Sequence, residues 1–151
     1  MKSNSKSSFS PLLHLTYVLQ QLSDDNLLHN VGVGLSQTRI MSALSSAAPR
    51  SQSQIASQLQ QTEANVSRQL HVMKKRGLVS ITRHKKDARL REVRLTSKGA
   101  RAYAKAVKIL AAQQKDFFKL LDKKEIKSFN RGAENLLKAL DIMTGERRLL
   151  G

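Results

Sequence analysis

The stretch ANVSRQLHVMKKRGLV, residues 64–79, carries side chains able to make directional hydrogen bonds at helical spacing. Read at 100° per residue, Val66, Leu70 and Met73 share one side. Arg68 and Lys75 point the opposite way, with Ala64 and His71 beside them and Asn65 and Ser67 at the flanks. The fork of Arg68 matches O6 and N7 of guanine, and the Asn65 amide matches N6 and N7 of adenine. Ser67 can reach a base or a phosphate. Close behind come Lys85, Lys86, Arg89 and Arg91, cations that can track phosphates or enter a minor groove.

Such side chains are useful only on a helix held at a fixed angle. SQSQIASQLQ (51–60) opens with Ser51 and Gln54 in capping-box spacing and offers Ile55 and Leu59 for burial. A turn at Gln60–Gln61 leads to Thr62, which caps a helix over about 63–76 that Gly77 ends. Two short helices joined by a tight turn, the second with a polar outward face, form a helix-turn-helix. A major groove, about 12 Å wide, admits the second helix. Thr62, Asn65, Ser67, Arg68, His71 and Lys75 are therefore its candidate contacts. Leu78–Arg83 and Leu90–Leu95 read as two short strands, the second alternating Val93 and Leu95 with Glu92 and Arg94. Their hairpin is a wing, with Lys85, Lys86, Arg89 and Arg91 at or near its tip.

The rest of the chain reads as helix. Residues 9–29 carry a stripe of Leu12, Leu15, Leu19 and Leu22. HNVGVGLS (29–36) breaks it; Gly32 and Gly34 lack the third glycine and lysine of a phosphate loop and read as a flexible turn. Residues 36–47 form a second helix with Ser36 as N-cap and Ile40, Met41 and Leu44 inward, and Pro49 stops it. Thr96 caps a helix with Tyr103, Ala106, Val107 and Leu110 on one side and Arg101, Lys105 and Lys108 on the other. A final helix over about 122–143 has Ile126, Phe129, Leu136, Leu137, Leu140 and Met143 as its apolar set. The expected fold is mainly α with a small β-hairpin wing. Residues 1–8 are expected to be a disordered tail and 9–151 a single domain, with a winged helix-turn-helix at 35–96 between helical arms at 9–34 and 97–145.

The charge supports a polyanionic partner. The net charge is +16 over 151 residues, and residues 68–108 hold fourteen Lys/Arg against two Asp/Glu. Like charges so dense repel without a counter-surface. The absence of cysteine excludes disulfides and thiolate metal sites and fits a reducing cytosol. The four histidines, 14, 29, 71 and 84, form no H-x-x-x-H pair. No metal or cofactor is expected. No nucleophile–base arrangement or acidic carboxylate pair suggests an enzyme. No run of about 18 apolar residues predicts a membrane span.

QIASQL, NVSRQLHVMKKRGLV, the D-x-R at Asp87–Arg89 and VRLTSKG at 93–99 together resemble the core of the MarR family of winged-helix transcription regulators, over residues 35–107. The resemblance implies sequence-specific binding of double-stranded DNA, usually repression, in the cytoplasm at the nucleoid. It implies that Asp87 braces Arg89 for entry into the minor groove; Ala88 stands where many members have a basic residue. It implies a homodimer built from the terminal helices, and often a small aromatic ligand whose binding releases DNA. The apolar stripes at 12–22 and 126–143, left bare on a monomer, agree with a dimer.

Other classes fit less well. An architectural, charge-driven DNA binder shares the basic block. A winged helix used for protein contacts has no need of Asn65, Arg68 and a basic wing together. An interfacial membrane helix from Thr96 has small apolar residues, Ala102, Ala104 and Ala106, and no Trp or Phe anchor. Single-strand binding calls for stacking aromatics, and residues 62–102 contain none.

Overall fold

The computed structural model describes residues 10–84, 87 and 91–149, the last nine by their helical backbone alone. The expected tail at 1–8 lies outside the described residues. The elements run α1 (Pro11–Val31), α2 (Leu35–Ser46), β1 (Arg50–Ser51), α3 (Gln52–Leu59), α4 (Glu63–Lys75), β2 (Val79–Arg83), β3 (Arg91–Leu95), α5 (Ser97–Phe118) and α6 (Lys123–Leu149). Two compact units divide the chain, one up to Ala111 and one from Ala112. No helix among the described residues is long and apolar enough to cross a membrane.

The core of the first unit fixes the angle of α4. Ile40, Met41 and Leu44 from α2, Ile55 from α3, Val66, Leu70 and Met73 from α4, and Leu78, Val79 and Val93 from the hairpin are all buried in one cluster. Burying each large aliphatic side chain contributes roughly 1.5–3 kcal/mol, so α4 cannot roll without losing several such terms. The sheet has three antiparallel strands in the order β1-β3-β2, one more than the hairpin expected from sequence. The third strand is two residues long, too short to show alternation, and pairs Arg50 with Val93 and Ser51 with Glu92.

The helix ends are satisfied mostly as the sequence implies. Ser51 and Gln54 form the complete capping box of α3. The Thr62 hydroxyl accepts from the Asn65 N–H at 3.2 Å, and the Thr96 hydroxyl accepts from the Gly99 N–H at 3.0 Å. At α2 the expectation of Ser36 fails: the N-cap is Gly34, and the Asp24 carboxylate accepts from the Leu35 N–H at 2.6 Å. That carboxylate comes from eleven residues upstream, beyond any local capping pattern.

Gly32 closes α1 in the left-handed region at φ 72°. Two distant cations hold this end: Arg76 donates to the Gly32 carbonyl at 2.5 Å, and Lys105 Nζ donates to the Asn30 carbonyl at 2.6 Å. Positive charge is favoured at a helix C-terminus. Lys98 Nζ in turn donates to the carbonyl of Arg76, the residue closing α4, at 2.8 Å. Three cations of the basic block are therefore engaged in tying elements together.

In the second unit Asp122 caps α6, accepting from the N–H groups of Lys124 and Glu125 at 2.8 Å each. Lys119 at 2.7 Å holds the Asp116 carboxyl below the usual carboxylate range. Helix α5 runs on to Phe118, so the helix does carry Phe117 and Phe118, contrary to the reading that it lacks aromatic anchors. The Phe118 ring packs edge-on against Phe129, with centroids 6.3 Å apart. Leu136, Leu137 and Leu140 are more than half exposed on this chain. The Met143 side chain lies outside the described residues.

Candidate nucleic-acid interface

Helix α4 presents what its periodicity implies. Val66 and Met73 are fully buried and Leu70 nearly so, while Ser67, Arg68, His71, Lys74 and Lys75 are exposed. No salt bridge engages Arg68, His71 or Lys75 among the described residues. Their donors are therefore available to an external acceptor. Glu63 in the first turn suits the positive end of the helix dipole and is the only acid on α4.

Two candidates have structural duties as well. Thr62 caps the helix with its hydroxyl, which accepts the Asn65 N–H. Asn65 is half-buried, and its Nδ2 donates to Gln61 Oε1 at 3.1 Å. Gln61, in the turn between α3 and α4, was not among the candidates read from sequence. The bond uses one N–H of the Asn65 amide and leaves its other N–H and its carbonyl for a further partner. Gln61 precedes the N-cap Thr62 and so lies outside the helix, where helical spacing gives no signal for the contact. The turn itself depends on Gln60, a non-glycine residue in the left-handed region at φ 53°.

Val72 was also missed. It is 44% exposed, because it lies four residues after Arg68 on the outward face. An aliphatic side chain among donors is suited to the methyl group of thymine. Its signal was its departure from the Val66, Leu70 and Met73 stripe.

The hairpin brings Arg91 to the surface beside α3, with both Arg91 and Arg83 exposed. Glu92 lies 3.6 Å from His84 and 3.6 Å from Arg94. Lys85, Lys86 and Arg89 lie outside the described residues, so the expected Asp87–Arg89 brace does too; Asp87 itself is exposed. No group of three or more His, Cys, Asp or Glu able to hold a metal ion occurs among the described residues.

An exposed helix bearing Arg68 and Asn65, seated on a packed helix pair and flanked by a hairpin with free arginines, can hydrogen-bond base edges and phosphates together. Comparison with known proteins finds the same fold in solved structures. Residues 31–90 match the model of the MarR family. Among solved structures the chain is similar to FabT of Streptococcus pneumoniae in complex with DNA, at TM-score 0.74 and 19% identity, covering 87% of this chain and 94% of that one. It is similar to wild-type MarR of Escherichia coli in its apo form, at TM-score 0.71 and 20% identity, covering 85% and 98%. It is also similar to the transcriptional regulator MosR of Mycobacterium tuberculosis in complex with DNA, at TM-score 0.67 and 24% identity, covering 87% and 94%. No curated protein matches the sequence.

Proposed function

We propose that the chain, whose residues 31–90 match the model of the MarR family, is a sequence-specific regulator of transcription that binds double-stranded DNA through α4. The observation that carries this reading is the outward face of α4, where Arg68, Ser67, His71 and Lys75 stand exposed opposite the buried Val66, Leu70 and Met73. Arg68 reads a guanine, Asn65, steadied by Gln61, reads an adenine, and Val72 meets a thymine methyl. The wing holds phosphates through Arg91, Lys85 and Lys86 and reaches the minor groove through Arg89, supported by Asp87.

The working unit is a homodimer acting as a repressor in the cytoplasm. Its support is apolar surface: α1 exposes Leu12, Leu15 and Leu22, and α6 exposes Phe129, Leu136, Leu137 and Leu140. Soluble monomers rarely leave contiguous apolar patches above a few hundred Å² bare. A two-fold dimer sets two copies of α4 in successive major grooves, roughly 34 Å apart, on a palindromic operator. A small aromatic effector that releases DNA completes the family pattern.

Selection of bound duplexes from a random pool at physiological salt tests this. A palindrome with half-sites about 10 base pairs apart is expected. Enrichment without a motif makes the protein a charge-driven architectural binder. No enrichment makes the winged helix a protein-contact module.

A further inference from the structure

Arg83 and Arg91 are direct cross-strand partners at the end of the β2–β3 ladder. Side chains so paired share a face, with Cβ atoms about 5 Å apart, and like charges placed there repel. Val79 opposite Leu95 and Ile81 opposite Val93 continue the same face inward. The face that packs the core thus ends in two guanidinium groups. Both residues are exposed, and no salt bridge joins either to an acid among the described residues. The nearest acid in sequence, Glu92, belongs by alternation to the opposite face and lies against His84 and Arg94. Arg91 also lines a groove of about 420 Å³ with Arg50, Ser53, Gln54, His84 and Glu92. Arg50 is held there by donating to the Ala43 carbonyl at 3.1 Å.

We propose that Arg83 and Arg91 act as one unit, a two-armed seat for a single phosphodiester of the bound duplex. A fork on each side of one phosphate lets the pair offer four or more N–H donors to its oxygens. The bound anion cancels the repulsion that the ladder imposes on the free protein. Arg83 is thereby a DNA contact that the sequence pattern did not single out. The inference rests on the DNA-binding reading above and adds to it a shared seat with a stability signature of its own.

The test uses the full chain and its Arg83→Gln, Arg91→Gln and double variants. Thermal midpoints are measured without DNA at low and high salt, and duplex affinity is measured across a salt series. Either single variant is expected to melt higher than wild type at low salt, the gain fading at high salt as the repulsion is screened. The double variant is expected to lose about one unit of the slope of log affinity against log salt per protomer, or about two for the dimer, the value for one phosphate contact in each half-site. Arg→Lys variants should keep the slope and lose affinity, because lysine lacks the fork. Wild type that binds duplex while the double variant keeps its slope overturns the seat alone, and a loss of about two units per protomer, or about four for the dimer, overturns the sharing. Wild type that fails to bind duplex overturns the DNA-binding reading itself. If inorganic phosphate stabilises wild type but not the double variant, with the DNA slope unchanged, the seat belongs to a small anion and the proposal fails.

Discussion

Gly99 sits so tightly against the Leu78 backbone that a Cβ built on it would stand 2.0 Å from the Leu78 carbonyl oxygen. The same oxygen accepts from the Thr96 N–H at 3.1 Å and the Thr96 hydroxyl at 3.2 Å. The first turn of α5 is thereby seated on the residue that directly precedes β2, three past the end of α4. Gly99→Ala forces that seat apart and is expected to cost about 1–3 kcal/mol or more, as overpacking does. Gly77 makes the contrast: a Cβ there meets nothing within 4 Å, and only its φ of 70° resists substitution. Gly77→Ala should cost about 1–2 kcal/mol, and Gly77→Asn should recover much of it, because Asn tolerates the left-handed region. Gly99→Asn should recover nothing. Urea unfolding of the four variants checks both statements, and equal rescue at the two positions would refute the steric account of Gly99.

Thr62 and Arg68 are expected to separate stability from binding. Thr62→Ala removes the hydroxyl that accepts the Asn65 N–H and should cost about 1 kcal/mol of folding stability. Thr62→Ser should keep the cap. Arg68→Ala should leave stability within about 0.5 kcal/mol, as exposed positions generally do, and weaken duplex binding by about 1–3 kcal/mol. Unfolding curves and binding isotherms of the same preparations decide.

Loss of Arg89 is expected to fall unevenly on different duplexes. A narrow, A·T-rich minor groove concentrates negative potential and attracts arginine. Arg89→Ala should therefore weaken binding most on operators flanked by such tracts. Equal weakening on G·C-rich flanks would place Arg89 on phosphate instead.

Assembly and recognition should fail together. Leu136→Glu with Leu140→Glu introduces charge at two exposed positions of α6, so the winged-helix core is left intact. Sedimentation should show monomer, and affinity for a palindromic site should drop steeply. A monomeric variant that binds the palindrome as tightly as wild type would refute the dimer reading.

The elements that carry the site were legible because their signals are local. The spacing of Val66, Leu70 and Met73 marked the buried side of α4, and the capping patterns at Ser51, Thr62 and Thr96 marked three helix starts. What escaped depends on partners distant in sequence. Asp24 caps α2 from eleven residues away, β1 is two residues long, and Arg76 and Lys105 are drawn to the end of α1. In sequence those last two cations look like any other part of the basic block. The same holds for Arg83, whose meaning appears only when the ladder register sets it opposite Arg91. Val72 was readable in principle: it shows its exposure once position on the helix is weighed beside residue type.

If α4 reads base edges, Arg68 is the side chain whose loss should show it. Selection from a random duplex pool, run side by side for wild type and Arg68→Ala, tests it most directly. A palindromic motif is expected for wild type, and for the variant the same motif with preference blurred at one base pair in each half-site. A variant motif unchanged at every position, with affinity lowered uniformly, would show that Arg68 holds only phosphate and would contradict base reading by this residue.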